Sequence, residues 1–184
     1  FEQYIVAEGS MISDGFCESM LKTVMHFGPI ALKDPTNFEA RGEVLAASSF
    51  GCCGLLGLGR TPSPWPCHGI EHEVSAWYDI THGVGLAIIT PHWMQWCLDT
   101  DPALVAPKFA QYGVNVFGLN PADGVEVNAK KAIEKTAAFF RSIGITQTLK
   151  DFGIDDSHFE AMAEHVTTAW VGDYKYAFVP MDKE

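Results

Sequence analysis

The chain has 184 residues, enough for one compact domain with a substantial hydrophobic core. Acidic residues outnumber basic residues 23 to 12 and the formal net charge is −11, which argues against nucleic acid as a partner. The apolar runs, such as "VGLAIIT", are far too short to span a bilayer, and the five cysteines form neither an even set nor a C-x-x-C pair. We therefore expect a soluble, cytoplasmic protein with reduced thiols.

The first part of the sequence predicts two helices and then a loop. The segment 13–34 has apolar residues at helical spacing, with Ser13 or Asp14 as its N-cap. A second helix is predicted from its N-cap Asn37 to the glycines near Gly57. The glycine-rich "GCCGLLGLG" follows a helix and not a strand, so we interpret it as close helix packing and not as a dinucleotide-binding loop. The prolines of "RTPSPWP" predict a loop after it.

The second half of the sequence predicts three further long helices. Asp101 is expected to cap a helix that has Pro102 at its first position. "VEVNAKKAIEKTAAFFRSIG" has an apolar stripe at helical spacing, and the Ser157-to-Glu160 offset predicts a capping box at the start of "SHFEAMAEHVTTAW". No segment alternates with the period of a strand. The sequence therefore predicts an all-α fold, a bundle of about seven or eight helices.

Four of the seven histidines lie in one stretch, "PCHGIEHEVSAWYDITHGVGLAIITPHW". His68 and His72 are four residues apart, and on a helix that begins near Pro66 they project from one face, about 6 Å apart along the axis. His82 lies fourteen residues beyond His68, so it can join them only if the chain turns. "YDITHG" supplies a turn near Tyr78, which places His82 in the first turn of the next helix. Three imidazoles can then address one site.

Two imidazoles alone do not complete a metal site. A cation at the start of the second helix also meets the positive end of the helix dipole and gains from an anionic ligand. The candidates in this stretch are His72, Glu71, Glu73, Asp79 and the thiolate of Cys67. Gly83 and Gly85 are expected to let the two helices approach closely. The alternative interpretation is structural, because histidines four residues apart on a helix also serve packing.

The other aromatic and histidine residues are interpreted as structural. We expect packing roles for His92, Trp65 and Trp77, the two tryptophans in the core. We expect surface or hydrogen-bonded core positions for His26, His158 and His165.

These motifs carry a resemblance to a known family. "HGIEHEVSAWYDITHGVGLAIITPHWM" resembles the signature of the iron-containing alcohol dehydrogenases, in particular their butanol-dehydrogenase-like branch. "FEQY", "LKTVMHFGPIALKDPTNFEAR", "VLAASSFGCCGLLGLG" and "FFRSIGITQTLKDFGID" resemble consecutive segments of that family's C-terminal domain. The resemblance implies that residues 1–184 form one helical metal-binding domain of the dehydroquinate-synthase-like fold. The N-terminal domain that binds NAD or NADP is then absent.

The resemblance also implies roles for the three histidines. His68 and His82 match the two metal-binding histidines of the family. His72 matches the catalytic histidine that lies beside the substrate and the nicotinamide cofactor, outside the metal's coordination shell. The family's remaining ligands, an aspartate and a histidine four residues later, normally precede a stretch like "FEQY". This chain is therefore expected to hold half of the site and to bind metal weakly.

The implied activity is the interconversion of short-chain primary alcohols and aldehydes by hydride transfer to or from NAD(P). Fe(II), or Zn(II), would act as the Lewis acid, with His72 relaying a proton. We expect the isolated chain to be inactive and the protein to be a homo-oligomer, with small molecules as partners and neither nucleic acid nor membrane. The alternative is a non-catalytic helical interaction module whose histidines serve structure.

Overall fold

The protein folds into a helical bundle. The computed structural model describes residues 1–168 and 174–182, and within these ranges it has seven α-helices and no named strand. The helices are α1 (Met11–Lys33), α2 (Phe38–Cys52), α3 (Pro66–Tyr78), α4 (His82–Thr100), α5 (Pro102–Phe117), α6 (Val125–Ser142) and α7 (Phe159–Thr168). The prediction of an all-α fold with seven or eight helices is confirmed. None of the described helices is long and apolar enough to cross a membrane.

Two predicted N-caps are present and fix the starts of their helices. The Asn37 side chain accepts a hydrogen bond from the Ala40 N–H at 2.9 Å at the start of α2. The Asp101 side chain accepts from the Leu104 N–H at 3.0 Å, and Pro102 is the first residue of α5. These side chains satisfy backbone donors that have no partner inside the helix.

Two other helix starts differ from the prediction. The cap of α1 is Ser10, which forms a reciprocal capping box with Ser13, so Ser13 and Asp14 lie in the first turn and are not the cap. At α7, the Asp155 side chain accepts from the N–H of Ser157, and a 3₁₀ turn precedes the helix. The predicted extension of this last helix through residues 169 and 170 lies outside the described residues.

The glycine-rich segment 51–59 contains the last two residues of α2 and the turns that follow, and it does not pack helices closely. A Cβ added at Gly51, Gly54 or Gly57 would meet no atom within 4 Å, so the prediction of close packing is wrong there. Gly54 and Gly59 have φ values of +83° and +70°, a left-handed conformation that side chains disfavour. These glycines are needed for the path of the backbone.

Helix α4 lies at the centre of the bundle. It packs against α3, α5 and α6, and its side chains Trp93, Met94, Cys97 and Leu98 are buried in the core. Helix α5 packs in turn against α1 and α6. A rigid core therefore supports α4, which begins at His82.

The N-terminal segment 1–6 is not helical, yet it is buried in this core. Tyr4 is fully buried and donates its hydroxyl to Glu18 of α1 at 2.7 Å. The Arg60 guanidinium donates to the carbonyl oxygen of Gln3 and to Asp14, the latter at 2.5 Å. The segment is thus fixed to α1 by buried polar groups and positions Glu2 near α3.

Helices α3 and α4 approach each other closely at Gly85. A Cβ at this position would lie 2.6 Å from Oε1 and 2.7 Å from Cγ of the fully buried Glu71 side chain. Gly83 would meet nothing within 4 Å, so the predicted close approach holds for Gly85 and is wrong for Gly83.

Substitution of Gly85 by alanine is expected to destabilise the fold. The free energy of unfolding should fall by about 1–3 kcal/mol, because the added methyl must displace a side chain that has no free space. Gly83→Ala in the same helix is the matched control and should leave the stability unchanged or raise it by up to about 1 kcal/mol. Urea unfolding midpoints at constant m-value measure both changes. Equal effects of the two substitutions would contradict the assigned contact.

Candidate metal centre

The predicted turn between the two histidine-bearing helices is present. Helix α3 begins at Pro66 and ends at Tyr78, and α4 begins at His82. Asp79 adopts the left-handed conformation with φ of +53°, and its N–H donates to the carbonyl of Ser75 at 2.9 Å. Thr81 is the N-cap residue of α4, but its side chain makes no capping hydrogen bond. The turn folds α4 back against α3.

The turn brings the three imidazoles together. The ring centroids of His68 and His82 are 5.3 Å apart, and those of His72 and His82 are 5.1 Å apart. The His68 and His72 centroids, one helical turn apart on α3, are separated by 6.1 Å. Three residues that the sequence spreads over fifteen positions therefore form one cluster.

His68 contacts a buried carboxylate from the N-terminal segment. Its Nδ1 lies in hydrogen-bonding contact with Oε2 of Glu2, whose other oxygen accepts from the N–H of Cys67 at 2.6 Å. Glu2 is only 5% exposed. The ring of Trp65 meets His68 edge-on, with centroids 4.8 Å apart. The His68 ring is therefore held from two sides.

His82 contacts a second buried carboxylate, from the neighbouring helix. Its Nδ1 lies in hydrogen-bonding contact with Oε2 of Glu71, which is fully buried. The hydroxyl of Ser75 donates to the other oxygen of Glu71. Both histidines thus turn Nδ1 towards a buried carboxylate. The contact between Glu2 and His68 was not predicted, because the sequence around Glu2 has no motif that indicates it.

Among the described residues, one group has the spacing of a metal site: ligand atoms of Glu71, His72 and His82 lie within 4.8 Å of one another. Both oxygens of Glu71 are already engaged, one with His82 and one with Ser75. Glu71 therefore fits the role of hydrogen-bond partner of His82 better than that of a further ligand.

The remaining candidate ligands lie in other environments. Glu73 contacts Nδ1 of His165 on α7 at 2.6 Å. Burial, followed by the charge of Glu2, raises the pKa of the Cys67 thiol well above its ordinary value, which disfavours the thiolate that would bind a metal. Asp79 is exposed in the turn.

The two tryptophans expected in the core are not buried. Trp65 and Trp77 are 36% and 48% exposed. Trp77 stacks on His158, with centroids 4.1 Å apart, and Trp65 contacts His68. Their rings cover histidines at the surface of the bundle, so the prediction of core positions is wrong.

His92 is exposed and lies away from the histidine cluster. It lines a cavity of about 950 Å³ between α4 and the segment 148–156. None of the three clustered histidines lines this cavity.

The environment of His72 favours its neutral form. Burial, followed by the neighbouring His82, lowers the pKa of His72 below the ordinary value of a histidine. At neutral pH the His72 imidazole is therefore uncharged and can accept a proton.

The fold and the histidine cluster define a helical domain with imidazoles gathered at one helical hairpin. The model of the Fe-containing alcohol dehydrogenase family, C-terminal, matches residues 1–179. The chain belongs to this family, which confirms the predicted membership. It is similar to NADH-dependent butanol dehydrogenases A and B of Clostridium acetobutylicum, with 43% and 40% identity over 166 residues.

The relatives are longer than this chain. The match with butanol dehydrogenase A covers 89% of the chain and 41% of that relative. The match with the solved structure of NADH-dependent butanol dehydrogenase A from Thermotoga maritima has a TM-score of 0.84 and 27% identity, and covers 98% of this chain and 45% of that one. For the Escherichia coli aldehyde reductase YqhD, the TM-score is 0.78 and the identity 30%, with 90% and 42% covered. The chain thus spans less than half the length of these proteins.

The lowered pKa of His72 predicts a pH dependence of stability. Because the folded state binds this proton less readily than the unfolded state, the contribution of His72 to the free energy of unfolding is full above about pH 6.5, the unfolded value, and is lost as the pH falls from there through the lower folded value. His72→Asn should make the metal-free chain less sensitive to pH between about 7.5 and 5. Urea unfolding over this range, with chelator present, measures the effect.

The matched control is His26→Asn, an exposed position on α1. It should keep the pH dependence of the unsubstituted chain. An unchanged pH dependence in His72→Asn would contradict the prediction.

Proposed function

We propose that this chain is the metal-binding domain of an NAD(P)-dependent alcohol dehydrogenase that interconverts short-chain primary alcohols and aldehydes. Family membership supports the oxidoreductase class. Similar proteins are named NADH-dependent butanol dehydrogenase and NADPH-dependent aldehyde reductase, so both cofactors are compatible with the proposal. The observation that carries the proposal is the pair His68 and His82, which converge from two helices with each Nδ1 on a buried carboxylate.

The donor set fits a divalent transition metal. Imidazole nitrogens suit Fe(II) and Zn(II), and metal-binding histidines typically donate their other ring N–H to a carboxylate. With Nδ1 engaged, Nε2 is the donor left on both His68 and His82. We propose that these two atoms hold the metal, and that an aspartate and a histidine from outside these 184 residues complete the ligand set. The fraction of the relatives' length that this chain spans supports a site shared with another part of the protein.

His72 supplies the acid–base function in this proposal. Bound metal would act as a Lewis acid and stabilise the negative charge that develops on the substrate oxygen. The lowered pKa of His72 and its position beside His82 support a role in accepting the alcohol proton and passing it towards solvent. We propose that it borders both the substrate and the nicotinamide ring. The proposal assigns nucleotide binding to another part of the protein, so residues 1–184 on their own should not turn over alcohols.

Self-association is also proposed for this protein. Large apolar side chains stand exposed on α1 and α2, among them Met11 at 94%, Phe38 at 92% and Leu45 at 68% exposure. Exposed apolar surface of this kind marks interaction sites. The same surface would serve a non-catalytic interaction module, the alternative function, so metal binding is the property that separates the two.

The proposal predicts metal binding by the histidine pair. Calorimetric titration of the reduced, metal-free chain with Fe(II) and Zn(II), under anaerobic conditions, should show weak binding. The double variant His68→Ala, His82→Ala should lose more than about 100-fold in affinity, because even outer partners of metal ligands account for 10–100-fold. The double variant His26→Ala, His158→Ala removes two histidines outside the cluster and should bind as the unsubstituted chain does.

Two results would contradict the proposal. Metal binding unchanged in the His68 and His82 double variant would mean that other groups bind the ion. A longer protein that carries an Asp-x-x-x-His ahead of Phe1, yet neither binds metal nor oxidises a primary alcohol with NAD or NADP, would leave the interaction module as the function.

A further inference from the structure

We infer that Glu2 is a positioning residue of the metal centre, which orients His68 and caps helix α3 with the same carboxylate. This inference rests on the proposed function, because it assigns a role towards the metal that His68 is proposed to bind. Glu2 lies 66 positions from His68 in the sequence and outside every helix, and it reaches the site only through the fold.

Helix α3 begins without a side-chain cap of its own. The N-cap residue Trp65 is in the left-handed conformation and its side chain makes no capping hydrogen bond. Pro66 has no N–H, so Cys67 supplies the first donor of this helix. Glu2 accepts that hydrogen bond at 2.6 Å and places a negative charge at the positive end of the helix dipole. Glu2 thus performs the function of the missing N-cap.

Glu2 also orients the ring of His68. The other oxygen of Glu2 faces Nδ1 of the His68 ring. An ionised carboxylate only accepts hydrogen bonds, so Nδ1 carries the proton, and in a neutral imidazole Nε2 is then the unprotonated nitrogen. Contact with Glu2 therefore selects the tautomer and the ring direction that a metal needs.

Glu2 lies in a firmly held part of the fold. The residue is only 5% exposed, and the adjoining residues of the segment are fixed by two anchors. Tyr4 donates to Glu18 at 2.7 Å, and Arg60 donates to the carbonyl of Gln3. These anchors fix the backbone next to Glu2, and its carboxylate is itself held by the Cys67 N–H and the His68 ring. The N-terminal segment is therefore part of the metal centre.

The test is Glu2→Gln in the complete 184-residue chain. The amide keeps the shape of the side chain, but while its oxygen accepts from the Cys67 N–H its NH2 group faces Nδ1 of His68 and can only donate to it. This contact favours the tautomer with the proton on Nε2, the nitrogen that the metal would need. Glu18→Gln is the matched control. Glu18 is also a buried carboxylate and also holds the N-terminal segment, through Tyr4, yet its hydrogen bonds come from Tyr4, Gln111 and Asn115 and from no histidine.

Two readouts separate positioning from general loosening of the fold. Competition with a chromophoric chelator measures Zn(II) affinity, and ¹⁵N NMR of the imidazole nitrogens reports the tautomer of His68. Glu2→Gln should weaken Zn(II) binding by about 10–100-fold. Glu18→Gln should change it by no more than about twofold, even where its urea midpoint falls. In the unsubstituted chain, His68 should carry its proton on Nδ1.

The inference fails if Glu2→Gln binds Zn(II) as tightly as the unsubstituted chain, or if Glu18→Gln loses the same factor. Should Glu2→Gln not fold, the tautomer of His68 in the unsubstituted chain decides: a proton on Nε2 overturns the inference, and one on Nδ1 supports it. Failure of the proposed function is distinct, because it appears as unchanged binding in the His68 and His82 double variant. In that case the tautomer of His68 still tests whether Glu2 orients the His68 ring.

Discussion

Two buried carboxylates facing two imidazoles are the contacts on which this domain's histidine cluster depends. Burying a carboxylate costs several kcal/mol unless donors replace the lost water. Glu71 is fully buried and Glu2 nearly so, and each has an imidazole on one oxygen and a second donor on the other. Removing either imidazole would leave a buried charge short of a donor. Fold stability and the geometry of the cluster are therefore coupled.

The helical hairpin makes this pairing possible. Only a residue without a side chain at position 85 leaves room on α4 for the Glu71 carboxylate. The left-handed Asp79 ends α3 and allows α4 to return beside it. Because α4 continues into the core through Trp93 and Met94, His82 stands at the start of a helix that is held by α3, α5 and α6. The position of the His82 imidazole therefore depends on the packing of α4 in the core.

Helix-start and turn signals in the sequence were sufficient to predict the two histidine-bearing helices and the turn between them. The start of α3 at Pro66, the turn after Tyr78 and the convergence of the three histidines follow from spacing and from turn residues, and the structure has all of them. Glu2 was not predicted, because a contact across 66 positions has no local periodicity or motif. The exposure of Trp65 was missed for a related reason, since apolar character does not say whether a ring packs on the core or on a surface histidine.

The charge pattern of the hairpin also bears on the chemistry. A cation held by His68 and His82 would lie near the N-termini of α3 and α4, where the helix dipoles oppose it. Glu2 and Glu71 place negative charge behind the two rings and offset this field before any ligand from outside the chain contributes. The proposed metal is favoured by these carboxylates, whereas a second positive charge on His72 is disfavoured by burial and by His82. A bound cation would oppose protonation of His72 further, so in the proposed reaction a proton accepted by His72 would be readily passed on to solvent.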